Sequence, residues 1–280
     1  MKYTDINSLD LTFPVFTVPP TVTNNLCVTF DLPVDQDYHI VANEGIVKSS
    51  LVHHMLLFAC LDDDDLTISS PEACKMESTL CSNLIDGWTL GTYGQCYGDS
   101  LGFKMGATGY KRLKLEIHYN NPNKEATTID SSGMRIFYRP VRPEVQELFT
   151  LMTGQFLLTL PPGQPSVEQI GVCKSPCTSQ IFKRPIYVIQ GVNHMHETGL
   201  SMSVEVYRRG AHVANLTDER KFNPTDAFYF HLECKVEIKT LISNPCFQGE
   251  AAEAVKNYLP LSKEGSNILE ILKLCPLDDQ

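Results

Sequence analysis

Histidines in three short clusters offer the clearest chemistry of the sequence. The clusters are the adjacent pair His53-His54, the single His118, and the pair His194 and His196 on either side of Met195. Imidazole nitrogens bind copper and zinc, and a methionine thioether favours Cu(I). Taken together, the clusters indicate a metal-binding protein, and an imidazole set with thioether sulfur nearby suits copper.

Each cluster taken alone also allows a simpler interpretation. Neighbouring residues of a regular strand point to opposite faces, so His53 and His54 can meet one ion only if a bulge or a strand end re-aims one of them. Otherwise one is buried and the other exposed. His118 shares the polar parity of its strand, which is typical of a surface residue. A His-x-His spacing places His194 and His196 on one face of a strand, but it also arises by chance.

Other metal sites and hydrolytic chemistries fit the sequence poorly. No His-Glu-x-x-His motif of a zinc protease is present, and no nucleophile elbow of a hydrolase. Gly191 stands too close to His194 for a cupin, and no acid is well placed after it. Cys173 and Cys177 lack a second close cysteine pair at zinc-finger spacing. The acidic run at residues 62–65 has no EF-hand spacing and predicts a solvated loop.

The elements that position the histidines are predicted to be strands. Apolar and polar residues alternate in short segments that Pro, Gly and Asn separate, which favours antiparallel β-sandwiches. The clearest segments are 26–32, 112–119, 133–138 and 200–207. In the second of these, Leu113, Leu115 and Ile117 share one face.

The chain divides into two predicted domains. Two prolines stiffen residues 139–143, which indicates a linker. We therefore expect an N-terminal domain over residues 1–142 and a C-terminal domain over residues 143–280. Near the end, residues 249–258 and 267–274 are rich in helix-forming side chains and predict two short helices.

Composition narrows the class of protein further. The 280 residues are 42% hydrophobic and 20% charged, with a formal net charge of −10. An acidic chain without a basic stripe is a poor nucleic-acid binder, and no segment is apolar enough for a transmembrane helix. Ten cysteines and the sequon at Asn215 suggest disulfides and a glycoprotein of the secretory pathway or the extracellular space. Because predicted disulfides and a missing signal core conflict, we expect the chain to be a fragment or an incomplete gene product.

Several longer motifs together resemble a known family. They are Leu-Val-His-His-Met-Leu-Leu-Phe-Ala-Cys at 51–60, Leu-Glu-Ile-His-Tyr-Asn-Asn-Pro at 115–122, and the segments 130–135, 173–178 and 194–199. They resemble the copper type II ascorbate-dependent monooxygenases, most closely the dopamine β-hydroxylase-like branch, with peptidylglycine α-hydroxylating monooxygenase as a cousin. The resemblance covers about residues 24–239.

The resemblance implies a mainly β fold and a reaction. The fold would be two jelly-roll-like antiparallel sandwich domains that face each other across a cleft. His53, His54 and His118 would hold an electron-storing copper, and His194 and His196 would hold the copper that meets O2, with His194 as a catalytic residue. Ascorbate would supply electrons, and the substrate would be a small amine with an activated, benzylic-type C–H bond.

Disulfides follow from the resemblance in the same way. The family pattern implies that Cys27 pairs with Cys74, and that Cys60 pairs with Cys81. It also favours a bridge between Cys173 and a C-terminal cysteine, best Cys246.

The sequence departs from the family pattern at the second copper. The family supplies a methionine ligand on a later strand, whereas no methionine follows Met202 here. Met195 does not replace it, because it points away from His194 and His196 on a strand. We therefore expect a truncated second domain, a weakened second copper site and impaired turnover. A non-catalytic, secreted copper-binding or interaction protein is the alternative. Asn25 also stands where the hydroxylases have a tyrosine.

Overall fold

Every regular element in the residues that the structure describes is a β-strand. The structure is a computed structural model that describes residues 5–62, 66–74, 80–90, 92, 94–97, 100–151, 153, 160–174, 186–193, 195, 198–222 and 229–231. The predicted mainly β class is therefore confirmed. The two predicted C-terminal helices, at 249–258 and 267–274, lie outside the described residues.

The strands fall into two groups along the chain. In the first part they are β1 (Asn7–Thr12), β2 (Phe16–Thr17), β3 (Thr23–Asp31), β4 (Asp37–Ile46), β5 (Val52–Ala59), β6 (Glu72–Ala73), β7 (Asn83–Thr89), β8 (Gly94–Cys96), β9 (Leu101–Gly106), β10 (Arg112–Asn120), β11 (Ile129–Asp130), β12 (Gly133–Pro140) and β13 (Gln146–Glu147). In the second part they are β14 (Gln190–Val192), β15 (Met202–Arg208), β16 (Ala211–Glu219) and β17 (Tyr229–His231).

Two sheets form a sandwich in the first part. One has the order β1-β12-β4-β9-β13, with β8 also pairing to β4, and the other has the order β6-β3-β10-β5-β7. All of these neighbours are antiparallel except β13 and β9, which are parallel. Buried side chains from both sheets form one hydrophobic core between them. A small ladder of β2 with β11 lies outside the two large sheets.

Strand β10 is the central strand of the second sheet, and its alternate side chains face the core and the outer side of the sheet. Leu113, Leu115 and Ile117 are 0% exposed, and each contributes about 1.5–3 kcal/mol through burial of its apolar surface. The intervening residues Lys114, Glu116 and His118 point to the opposite face, because side chains alternate along a strand. The predicted parity of this strand is therefore confirmed.

A tight contact near the single tryptophan joins the two sheets. Trp88 on β7 packs so closely against β4 that a Cβ atom built on Gly45 would lie 2.6 Å from the indole ring. The indole Nε1 donates a hydrogen bond to the carbonyl oxygen of Thr92 at 2.8 Å. A side chain at position 45 would therefore displace the indole from the core.

A buried polar pair also joins the sheets. The amide of Asn43 on β4 donates a hydrogen bond to a carboxylate oxygen of Asp86 on β7, and the backbone N–H of Gly87 donates to the other oxygen at 2.7 Å. Burial raises the pKa of Asp86 to about 7, although the bond from Gly87 partly opposes the shift. This half-buried carboxyl group between the sheets is therefore partly protonated at neutral pH.

Two disulfides pin the strands of the second sheet. Cys27 on β3 is bonded to Cys74, and Cys60 at the end of β5 is bonded to Cys81, just before β7. These are the two first-domain pairings that the family resemblance implied.

The expected bridge between Cys173 and Cys246 stays a prediction, because Cys246 lies outside the described residues. Cys173 is exposed in an irregular segment and forms no disulfide with a described cysteine.

The second part of the chain is described only in pieces. Strands β15 and β16 form a hairpin whose two turn residues, Arg209 and Gly210, have φ angles of 52° and 78°. Both angles suit a type I′ turn, which matches the twist of the flanking strands. Strand β14 pairs with β17. No described helix is long and apolar enough to cross a membrane.

Pairing with the first sandwich continues past the predicted domain boundary. Strand β13, at residues 146–147, pairs with the start of β9, so it lies in the first unit although it follows residue 142. The division into 1–142 and 143–280 stays a prediction. Two side chains link the two parts: the Gln95 amide on β8 donates to the Gln190 side-chain oxygen on β14 at 2.8 Å, and the Gln190 amide donates back at 3.4 Å.

Removal of one disulfide should loosen the first sandwich without abolishing its fold. The double substitution Cys60→Ala and Cys81→Ala opens a bridge of sequence separation 21, which should lower the free energy of unfolding by about 3 kcal/mol. Denaturant titration followed by Trp88 fluorescence measures this, since the only tryptophan lies in this sandwich. Cys96→Ala, at an exposed free thiol, is the matched control. A double variant as stable as that control would contradict the prediction.

The Asp86 carboxyl should make the first sandwich less stable as pH rises toward neutrality. Its folded pKa of about 7 lies above the ordinary value of 3.8, so the folded state binds the extra proton between these values. Stability from this group is therefore greatest near pH 4 and falls by at most about 1.4 kcal/mol per pH unit up to pH 7. Asp86→Asn should remove that slope in unfolding titrations between pH 5 and 7.5, whereas Asp62→Asn, at an exposed ion pair, should keep it. An unchanged slope in Asp86→Asn would show that this carboxyl is ionised in the core.

Candidate metal centre

Two neighbouring strands bring the first three histidines together. His118 on β10 pairs directly with His54 on β5, and directly opposed residues of an antiparallel pair share one face of the sheet. The next pair along the ladder is Tyr119 with Val52. His53 is thus the extra residue of a β-bulge in β5. The sequence predicted that His53 and His54 could meet one ion only if a bulge re-aimed one of them, and this bulge does so.

The bulge directs His53 to the same side as the other two rings. The Nδ1 atoms of His53 and His54 are 3.1 Å apart, and those of His118 and His54 are 3.4 Å apart. The three rings meet edge-on, with centroids 4.7 to 5.3 Å apart. One ligand atom from each histidine lies within 4.8 Å of the other two.

These separations fit three ligands of one ion. A metal–imidazole bond is about 2.0–2.1 Å long, so two nitrogens on one ion lie about 2.9–3.6 Å apart at angles between a right angle and a trigonal arrangement. Both Nδ1–Nδ1 distances fall in this range. A set of three imidazoles, without carboxylate or thiolate, can hold copper, and it is a ligand set that zinc also accepts.

The site lies at a partly open edge on the outer face of the sheet. His54 is buried at 8% exposure, whereas His53 and His118 are half-buried. Cys27, Cys74 and Glu116 form a second group of side chains with metal-ligating atoms beside it. The two cysteines are bonded to each other in a disulfide, so they have no thiolate to bind a metal. Burial raises the pKa of the Glu116 carboxyl, and the positive charge of Lys114 partly opposes that shift.

Two residues of β3 complete the surroundings, and the sequence analysis assigned neither to the site. The hydroxyl oxygen of Thr23 is 2.7 Å from Nε2 of His118. Asn25 lies directly opposite His118 in the β3–β10 ladder, and its Oδ1 is buried with no hydrogen-bond partner. Their alternation with Cys27 along β3 predicts a shared face, but only the ladder register places that face beside His118.

The second histidine pair lies outside the described residues, so His194 and His196 stay a prediction. The residue before His194 is firmly held. Asn193 is buried, its amide donates to the backbone oxygen of Met202 at 3.1 Å, and its side-chain oxygen accepts a bond from the hydroxyl of Thr217 at 2.8 Å. Strands β15 and β16 therefore anchor the chain at the entrance to this pair.

Comparison with known families gives two matches in order along the chain. Residues 9–126 match the family described as "Copper type II ascorbate-dependent monooxygenase, N-terminal domain". Residues 144–249 match the corresponding "C-terminal domain". The three clustered histidines fall in the first match, and His194 and His196 fall in the second.

Curated relatives carry the same family relationship. The chain is 28% identical to dopamine beta-hydroxylase of Rattus norvegicus over 235 residues, which cover 79% of this chain and 38% of the relative. It is 28% identical to tyramine beta-hydroxylase of Caenorhabditis briggsae, over 74% of this chain and 37% of the relative. It is 30% identical to DBH-like monooxygenase protein 2 of Mus musculus, over 72% of this chain and 34% of the relative.

The chain spans little more than a third of the length of these relatives. Even so, the two family domains match in sequence order and together account for most of the chain. This chain belongs to the copper type II ascorbate-dependent monooxygenase family.

Proposed function

We propose that this chain acts as a monooxygenase that uses copper, ascorbate and O2 to hydroxylate an activated, benzylic-type C–H bond of a small amine. The observation that carries the proposal is the convergence of three imidazole nitrogens at the β5 bulge. The family description names ascorbate, and two of the relatives are named for hydroxylation of dopamine and tyramine, both aromatic amines. The substrate of this chain would then be a small amine of the same aromatic class.

The residues divide between two tasks in this proposal. His53, His54 and His118 hold the copper that stores an electron, and His194 and His196 hold the copper at which O2 reacts, with His194 in the catalytic role. Copper at these positions supplies one-electron exchange between Cu(I) and Cu(II) and the activation of O2. The reaction places one oxygen atom in the product and one in water, and its two electrons come from ascorbate.

The geometry of the first histidine set suits electron storage. Its ligands project from paired strands of one sheet, and Cys60–Cys81 ties the end of β5 to β7. A rigid ligand set needs little rearrangement when the metal changes its charge. The half-buried rings of His53 and His118 leave an edge at which a small reductant such as ascorbate can approach.

Two disulfides and an exposed sequon support a secretory or extracellular location. Disulfides persist in oxidising compartments. Asn215 is exposed on β16, as a glycosylation site must be. The chain would accordingly pass through the secretory pathway and carry a glycan at Asn215.

A second candidate function is copper binding without hydroxylation. It is favoured by the histidine set that converges in the described residues, because that set is the one assigned to electron storage. Such a site binds copper without itself hydroxylating a substrate.

Copper stoichiometry with coupled turnover separates the two candidates. The full chain is loaded with copper and incubated with ascorbate, O2 and tyramine, while metal content, O2 uptake and hydroxylated product are measured. Two coppers per chain with one product per O2 support the monooxygenase. One copper per chain with no product supports the second candidate. A chain that retains no copper contradicts both.

His118→Ala should remove the first copper and stop electron delivery. The substitution takes away one of three ligands, so bound copper should fall by about one ion per chain and hydroxylation should be lost. Metal analysis after dialysis measures this. His212→Ala removes an exposed imidazole on β16 that contacts Asn215 and Tyr207 of its own hairpin, and it should keep both copper and activity. Full copper and full activity in His118→Ala would disprove the ligand assignment.

His194→Ala should separate the two sites. We expect hydroxylation to disappear while the copper of the His53, His54 and His118 set remains, because the substitution leaves that set intact. The same metal analysis and product assay measure both quantities on one sample. Retained hydroxylation in His194→Ala would contradict its catalytic role.

A further inference from the structure

We propose that Thr23 is a positioning residue that orients His118 toward the metal. Its hydroxyl oxygen accepts a hydrogen bond from Nε2–H of His118 and so leaves the Nδ1 lone pair facing the other two histidines. The inference rests on the proposed copper site, because it assigns a tautomer that matters only if Nδ1 binds a metal.

A metal on Nδ1 would fix one tautomer of His118, and the distances to its two neighbours agree with that tautomer. A neutral imidazole carries a proton on one nitrogen and a lone pair on the other. Nδ1 of His118 faces His54 Nδ1 at 3.4 Å, whereas Nε2 faces the hydroxyl oxygen of Thr23 at 2.7 Å. A lone pair on Nδ1 therefore requires the proton on Nε2, and Thr23 is the acceptor placed to hold it there.

The ring of His118 contacts Thr23 of β3, although Asn25 lies directly opposite it. Asn25 lies directly opposite His118, whereas Thr23 pairs with Asn120 and reaches the ring diagonally. Diagonal neighbours on one face of a sheet remain within reach of long side chains. The Oδ1 of Asn25 nevertheless has no hydrogen-bond partner, so the ring is turned with its Nε2 edge toward Thr23.

A hydrogen bond at the far nitrogen acts on the metal through the ring. An acceptor at Nε2–H fixes the ring orientation and makes Nδ1 a stronger donor, and loss of such an acceptor lowers metal affinity by about 10- to 100-fold. Thr23 is exposed, so its own hydroxyl proton can bond to solvent, and replacement of its side chain leaves the core unchanged.

Three variants of the full chain isolate the hydroxyl. Thr23→Val removes the acceptor with little change of shape, and Thr23→Ser restores it. Thr21→Val is the matched control, because this exposed hydroxyl bonds to Asn24 and to the Thr23 backbone and not to His118. Copper affinity of the first site is measured by competition with a chromophoric Cu(I) chelator. We expect Thr23→Val to bind about tenfold more weakly, and the other two variants to match the wild type.

A second measurement reports the tautomer without metal. In the ¹⁵N NMR spectrum of the copper-free chain above pH 8, His118 should be protonated at Nε2 in the wild type and in Thr23→Ser. In Thr23→Val it should become a mixture of both tautomers. The unfolding midpoint should be the same in all variants, which a purely structural role of Thr23 would not give.

The outcomes for this inference and for the proposed function are distinct. Wild-type affinity together with an unchanged tautomer in Thr23→Val would overturn the role of Thr23. A wild-type chain that binds no copper at the His118 site would contradict the proposed function, and the NMR comparison would still decide whether Thr23 fixes the ring.

Discussion

The candidate centre depends on one local irregularity, the β-bulge at His53. In a regular strand His53 and His54 would point to opposite faces, and only one could reach the ring of His118. The ladder pairs His118 with His54 and Tyr119 with Val52, which leaves His53 as an inserted residue. Because of that insertion, two adjacent imidazoles and one from the next strand place their nitrogens within bonding range of a single ion. Bulges are found next to active sites for this reason: they re-aim a side chain without interrupting the sheet.

The rest of the first sandwich keeps that irregularity in place. Strand β10 lies between β3 and β5, with its apolar residues in the core and its polar residues on the outer face that carries the three histidines. The bridge between Cys60 and Cys81 fastens the end of β5, and the bridge between Cys27 and Cys74 fastens β3, which carries Thr23. On the core side, the contact of Trp88 with Gly45 holds β7 against the other sheet. The outer face is therefore held rigid by the packing of the core on the opposite side of the sheet.

Sequence patterns predicted the strands and the candidate histidines, but they did not show that His53, His54 and His118 lie together. Alternation identified β10 and the parity of His118, because a strand with one buried face must alternate. The family resemblance, and not spacing, supplied the two disulfide pairs that the structure contains. Nothing in Val-His-His-Met marks a bulge, since an inserted residue is defined by the partner strand. Thr23 and Asn25 carry no motif, and they come beside His118 only through a pairing across more than ninety residues. The pair of Asn43 and Asp86 is non-local for the same reason.

The histidines lie on the face of the sheet that is turned away from the hydrophobic core. Folding of this unit is driven by burial on the other side, so the sandwich can assemble in full before any ion arrives. Such a protein is unlike a zinc finger, whose chain collapses only around its metal. An ion bound by these histidines would therefore be added after the sandwich has folded, and its removal would leave the core packing intact.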